Sequence, residues 1–435
     1  MIEVCLGLTA AALFAAAFLW LIGAPGRWVT AFLIAAVALP PLPIAIGGSG
    51  PHPALAVALV GLLCGILFLR AWRIPADSLS RALIVFFAIL LFSVAPAMVY
   101  SGFEVGAATL ARVALFGVAV YLFFYVTVGP ARRDPANPMR AARLLYWAAC
   151  ASALFACLDF YFQFPAPAGF SDQYVWLDTG VYRRAQGLFY DASTLGNFCA
   201  FFLAMIAVAL ARPSAERPVS RIALLLGGVL FSAALIFSYS RGSIVNLLVA
   251  GAALLALHHR RVPFGKLILG LALGAALAYF VAPSFVRLYM QRLANTSYFF
   301  AASDTILSGR VSSWRALIDF LAANPWHALI GIGYKTLPYS DFTGGKVVGD
   351  NMYLTLLVET GVFGLAALIC LHVYILRAAW RARASFFGAW IFCFWCGEIA
   401  QMLSGDLFTY WRVVPLYFWV LAAAIHEHSV SRSVS

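Results

Sequence analysis

Apolar residues run along this 435-residue chain in long blocks, not in alternation with polar ones. Blocks of about 17–25 apolar residues match a helix that crosses the hydrocarbon core of a bilayer. Thirteen such runs stand near 4–22, 28–47, 54–70, 82–100, 105–128, 142–163, 188–211, 221–239, 242–258, 264–284, 351–376, 384–403 and 409–426. Pro40, Pro41 and Pro43 interrupt the second run, which leaves twelve as the alternative count. Two connections are long, 164–187 and 285–349. Inside the second, 309–323 carries Val311, Trp314, Leu317, Ile318 and Leu321 at helical spacing, and Asn324-Pro325 ends the run. The pattern therefore predicts an all-α polytopic membrane protein of 12–13 spans in three parts. Residues 1–284 hold ten candidate spans, 285–349 a loop with one amphipathic helix, and 350–435 the last three spans and a short tail.

Composition supports lipid as the solvent. Charged residues are 11% of the chain and hydrophobic ones 64%, against roughly 25% charged in an ordinary soluble domain. The net charge of +12 would suggest nucleic acid in a soluble protein, but here it reports topology. Arginines fill alternate connections: Arg70, Arg73 and Arg81; Arg132, Arg133, Arg140 and Arg143; Arg212, Arg217 and Arg221; Arg260 and Arg261; Arg377, Arg381 and Arg383. The intervening connections 48–53, 101–104 and 404–408 have neither Lys nor Arg. Positive loops stay in the cytoplasm, so the carboxyl terminus is expected there, and 164–187 and 285–349 on the outer side. Glu3 stands where a signal peptide would carry a positive charge, so the first run reads as a span. All eight cysteines lie in apolar runs, and Cys393 and Cys396 read as small hydrophobes facing other helices.

Ionisable residues inside these runs call for a partner or a purpose, since each costs about 2.5–3.5 kcal/mol at mid-bilayer. Arg112, Asp159, Asp191, Asn197, Arg241, Asp350, Asn351, Glu359 and Glu398 fall mostly in the outer halves of their spans, with Arg183 and Arg184 just before the seventh. They describe an outward-facing site and not a continuous path, which favours an enzyme over a transporter or flippase of a lipid-linked sugar. Glu359 and Glu398 read either as substrate contacts or as structural partners of Arg412 and His372, and Arg112 as a structural partner. The 285–349 loop carries a net +3, which fits a solvated surface or an anion site. Arg310 opposes the dipole of its own helix, and Arg315 and Asp319 read as a surface i,i+4 pair. Arginines suit phosphate oxygens, and Asp350 could act as a general base. An outer site has no access to ATP or nucleotide sugars, so a lipid-linked phosphate or pyrophosphate is the expected substrate.

Four stretches then resemble the O-antigen ligase and polymerase superfamily of bacterial envelope glycosyltransferases. They are RAQGLFYDASTLGNF (184–198), SYSRGS (238–243), SGRVSSWRALIDFLAANP (308–325) leading into GIGY, and DNMYLTLLVETGVFG (350–364). The resemblance implies a GT-C-like, metal-independent, inverting enzyme of the bacterial inner membrane. It would act on the periplasmic face, on glycan carried by undecaprenyl pyrophosphate, without a cofactor. It maps the pyrophosphate-binding arginines onto Arg184 and Arg241, with Arg183 as the alternative to Arg184. Asp350 takes the place of the base, or of an orienting acceptor, with a plain helix N-cap as the structural alternative. Arg310 and Asn351 would shape the substrate site, and Trp314 would anchor its helix. Ligases that load lipid A–core usually carry His before Asn at this place. Asp350 before Asn351 turns the expectation toward polymerisation of O-antigen or exopolysaccharide repeat units, with ligation as the alternative. The implied partners are the lipid-linked donor, a glycan acceptor, the bilayer, a chain-length regulator and a flippase, and no nucleic acid.

Overall fold

A computed structural model describes residues 18–42, 51–132, 137–177, 180–258 and 310–434, with Ala16, Arg287 and Met290. The expected span 264–284, most of the first span and residues 291–309 lie outside the described residues. The described helices are α1 Pro25–Ala38, α2 Pro53–Leu67, α3 Ser78–Phe92, α4 Val94–Ser101, α5 Phe103–Thr127, α6 Pro138–Phe162 and α7 Ala192–Leu210. There follow α8 Arg221–Phe237, α9 Arg241–His258, α10 Arg310–Ala323, α11 Pro325–Ile330, α12 Met352–Arg381, α13 Phe386–Gln401 and α14 Val414–Val434. In lipid each backbone polar group must be satisfied within the protein, and helices do this segment by segment. By length and composition five are apolar enough to cross a membrane: Ser78–Ser101, Phe103–Arg132, Pro138–Phe162, Ala192–Leu210 and Met352–Arg381. Five shorter apolar helices accompany them, among them α1, α2, α8 and α13. The chain is an all-α multi-pass membrane protein.

Helix α7 is the centre of the bundle, with 83% of its most apolar stretch buried, and α8, α9 and α13 pack around it. Small residues allow the approach. A Cβ on Gly397 of α13 would lie 2.2 Å from Asn246 Oδ1 of α9, and one on Gly196 of α7 would lie 2.6 Å from Ser240 Cβ. The second long helix pairing joins α5 to α14, and α3 packs on α12.

The structure adds features that apolar runs do not show. Residues 164–187 contain an antiparallel hairpin, β1 Tyr174–Leu177 with β2 Gly180–Arg183, in register Tyr174 with Arg183. Helix α10 presents Leu317 to the core but leaves Ile318 exposed, so the buried stripe is narrower than the spacing predicts. Arg315 and Asp319 are both exposed, and among the described residues they form no ion pair. Asn324-Pro325 does not lead into an irregular loop but opens α11. Helix α12 is broken at Gly361, whose φ of 71° no other residue type adopts readily. There the carbonyls of Val358 and Glu359 accept the N–H groups of Ile332 (3.1 Å) and Gly333 (2.8 Å). A Cβ at Gly361 would lie 2.1 Å from Leu329 O, so the glycine is needed for this backbone crossing.

Candidate active site

The site lies where α7, α9, α10 and α12 begin. Each contributes a polar residue at or beside its first turn: Asp191, Arg241, Arg310 and Asp350. Helix N-termini carry a partial positive charge and point unsatisfied N–H groups outward, so several together favour an anion. Arginine at such a place opposes the dipole, and both Arg241 and Arg310 do so. A cavity of about 260 Å³ occupies this end of the bundle, and Arg112, Asp191, Arg310, Lys335, Asp350 and Glu359 are among the residues lining it.

At its centre Arg310 Nε donates to Asp350 Oδ2 at 2.9 Å, with both side chains about a quarter to a third exposed. Asp350 is not the cap of α12. Asn351 is, its Oδ1 accepting from Tyr353 N and Leu354 N at 3.1 Å each. Asp350 therefore keeps its carboxylate free of the cap and lines the cavity. The first helical position of α7 is likewise held by Asp191, whose Oδ1 accepts from Thr194 N at 2.6 Å and whose Oδ2 accepts from Gln173 Nε2 at 2.9 Å.

Arg184 stands beside this group. Its Nε donates to Ser238 O at 2.8 Å, which ties it to the SYSRG turn, while no acceptor among the described residues takes its terminal nitrogens. Burial pushes its guanidinium below the usual arginine range, opposed by the pull of Asp191, and the nearby Arg310 charge adds to the lowering. Arg183 goes elsewhere. Its Nη2 meets Asp159 Oδ1 (3.3 Å), Asp172 Oδ1 (3.0 Å) and Phe164 O (2.5 Å), away from the residues lining the cavity. Arg241 opens α9 behind the cavity wall: a Cβ on its neighbour Gly242 would lie 2.9 Å from Ser404 Oγ, and Ser404 lines the cavity. Trp314, which faces inward from α10, is partly buried and is absent from the cavity lining.

Other site residues lay outside the sequence reading of chemistry. Lys335, in the loop after α11, is 5% exposed and forms an ion pair with Asp406. Burial pushes its ammonium down, and the carboxylate of Glu359 opposes that shift. Arg112 donates to Lys335 O at 3.3 Å and lies 4.2 Å over the Tyr339 ring, so it is a cavity residue and not only a partner inside the bundle. Asp406 stands in a connection without Lys or Arg. A lone acid there was the one signal that could have marked it.

Beneath the cavity a buried polar cluster runs deeper. Asn197 and Asn246 each donate to Glu398 Oε2 at 2.8 Å and to Gln401 Oε1 at 3.0 Å, and Tyr417 donates to Asn197 Oδ1. The expected pairing of Glu398 with Arg412 or His372 is thus not formed. Arg412 is satisfied by the carbonyls of Ala36, Leu39 and Leu188, and His372 accepts from Trp395 Nε1 at 3.2 Å.

No curated protein matches this chain. Residues 226–369, from within α8 into α12, match the family model described as O-antigen ligase. The matched segment carries Arg241, Arg310, Lys335, Asp350, Asn351 and Glu359, and leaves Arg184 and Asp406 outside it. This match, over about a third of the chain, contains three of the four motifs and supports the resemblance to the O-antigen ligase and polymerase superfamily.

Proposed function

We propose that the chain polymerises O-antigen or exopolysaccharide repeat units on the periplasmic face of the inner membrane, taking glycan from an undecaprenyl-pyrophosphate carrier. The observation that carries this reading is the Arg310–Asp350 pair on a cavity whose neighbour, Arg184, has terminal nitrogens left over for an anion. In the reaction an acceptor hydroxyl oxygen attacks the anomeric carbon of the donor. The bond from that carbon to the pyrophosphate oxygen breaks, its electron pair leaves with the carrier, and the sugar inverts. Asp350 takes the hydroxyl proton. Its Oδ2 is engaged by Arg310, which leaves Oδ1 for the acceptor. Arg184 and Arg310 offset the charge that grows on the leaving group, and Arg241 adds its field from the start of α9. Asn351 positions Asp350 by taking over the cap.

The test is a purified preparation in lipid nanodiscs with a lipid-linked repeat unit as donor and acceptor. A ladder of carrier-linked products is expected. Asp350→Asn should slow it by about 10²–10⁴, the range for a lost proton acceptor, with the helix start intact because Asn351 caps it. Turnover within threefold of wild type would remove Asp350 from the chemistry. Guanidinium groups carry the leaving-group charge in this reading, so EDTA should leave the ladder unchanged; a loss restored by a divalent cation would contradict it.

The description of the matched family model favours a second reading, ligation. Cells lacking the protein separate the two. Single repeat units on the carrier follow from lost polymerisation, and normal-length polymer that never reaches lipid A–core follows from lost ligation.

A further inference from the structure

Three buried oxygens on one wall of the cavity have no hydrogen-bond partner among the described residues: Thr355 Oγ1, Glu359 Oε2 and Asp406 Oδ1. Glu359 is 1% exposed and Thr355 4%, so water outside the protein does not reach them freely. A buried polar atom left unsatisfied costs about 1–3 kcal/mol, and three lining one cavity point to a ligand that brings donors. The charge at this wall is already balanced. Lys335 is paired with Asp406 and attracted by Glu359, and Arg112 adds the second positive charge against the second carboxylate. A cation would meet the Lys335 ammonium and an anion would meet two carboxylates. A neutral, hydroxyl-rich ring meets neither obstacle. The cavity, about 260 Å³, has room for a sugar ring.

We infer that this wall is the acceptor subsite, where Glu359 and Asp406 accept hydrogen bonds from hydroxyls of the terminal acceptor sugar and Thr355 exchanges a hydrogen bond with another. The assignment of that sugar as acceptor rests on the transfer reading above; the binding of a sugar does not. Arg310 and Asp350 lie on the same cavity, so a ring held here presents a hydroxyl to the carboxylate that takes its proton. Glu359 and Asp406 then determine which sugar is accepted.

The chemistry gives a sharp variant. Glu359 Oε1 accepts Leu337 N at 3.3 Å, which keeps the amide oxygen of Glu359→Gln at that position and turns its NH₂ group into the cavity. That group donates and cannot accept a hydrogen bond from a hydroxyl. The probe is the free repeat-unit oligosaccharide, as its methyl glycoside and as a series lacking one hydroxyl each, titrated onto the full chain in nanodiscs. Wild type should bind it, and Glu359→Gln and Asp406→Asn should each weaken binding tenfold or more. One deoxy compound should bind wild type as weakly as it binds Glu359→Gln, because both lack the same contact. In transfer assays the acceptor KM should rise tenfold while the donor KM stays put. Thr355→Val, a milder change expected to cost about threefold, carries the same test if the carboxylate variants fold poorly by thermal melt. Equal binding by wild type and all folded variants overturns the proposal, as do losses that add for every deoxy position. Binding that follows the expected pattern with no product from the lipid-linked donor would sustain the sugar site and sink the transfer reading instead.

Discussion

Arg183 and Arg184 are neighbours in sequence and end in opposite circumstances. Successive side chains at a strand end point to opposite sides, so Arg183 turns into the hairpin base and Arg184 toward the SYSRG turn. Arg183 is closed in by two aspartates and a carbonyl. Arg184 spends one nitrogen on Ser238 O and keeps its others beside Arg310. Arg412 repeats the first pattern with three carbonyls, and Arg310 repeats the second with a single carboxylate. What separates a structural arginine from a functional one in this bundle is how much of its guanidinium the protein itself uses.

The largest effect that would test this contrast is on stability. Arg183→Ala leaves Asp159, itself 5% exposed, with the N–H groups of Gln186 and Gly187 but no cation, and breaking a buried pair costs about 3–5 kcal/mol. A clear drop in melting temperature and yield is expected, with turnover per folded molecule close to wild type. A lost rate at unchanged melting temperature would move Arg183 to the substrate.

A smaller effect separates Asp350 from the residue behind it. Asn351→Ala removes a cap worth about 1 kcal/mol, so the melting temperature should fall modestly and the rate with it as Asp350 loses its support. If Asp350→Asn lowered the melting temperature more than Asn351→Ala, the division between cap and carboxylate would be wrong.

The smallest effect concerns Arg412. His52 is buried beside it, accepting from Ala54 N at 3.1 Å and donating from Nε2 to Leu39 O at 2.8 Å. Burial first, and the Arg412 charge second, hold its pKa down to about 4. The unfolded ring titrates near 6.5, so the unfolded chain binds the proton more tightly. The stability that His52 contributes is complete above about pH 6.5 and is lost as the pH falls toward 4. Melting curves between those values should show the decline in wild type and a shallower one in His52→Asn, which keeps a capping oxygen. Parallel curves would mean that His52 is not held neutral in the folded chain.

Much of this was legible in the chain. Apolar runs locate helices because lipid leaves the backbone no other partner, and the described helices outside the 285–349 loop fall on those runs. Asp350 and Arg310 meet on the cavity, and each opens or precedes a helix whose start the local sequence marks, whereas Arg184 and Arg241 are not among its lining residues. The breaks were not legible. Gly361 looks like any glycine in a span until α11 crosses it, and the hairpin at 174–183 is too short to show a strand pattern. Lys335 and Asp406 come from loops 71 residues apart, brought together only by the folding of α12 and α13. Glu398 was matched to the wrong partners for the same reason, since helix-to-helix pairing is not written in either helix alone.

The central claim is that Arg184 holds the pyrophosphate of the leaving group, and one measurement addresses it. Transfer from the lipid-linked donor is timed in nanodiscs for Arg184→Ala, with the melting temperature taken on the same sample. The account predicts a rate loss of about 10²–10³, the size expected for one lost donor to developing charge, at a melting temperature near wild type. Transfer within tenfold of wild type, or a loss matched by unfolding, would contradict it and return Arg184 to the structural arginines.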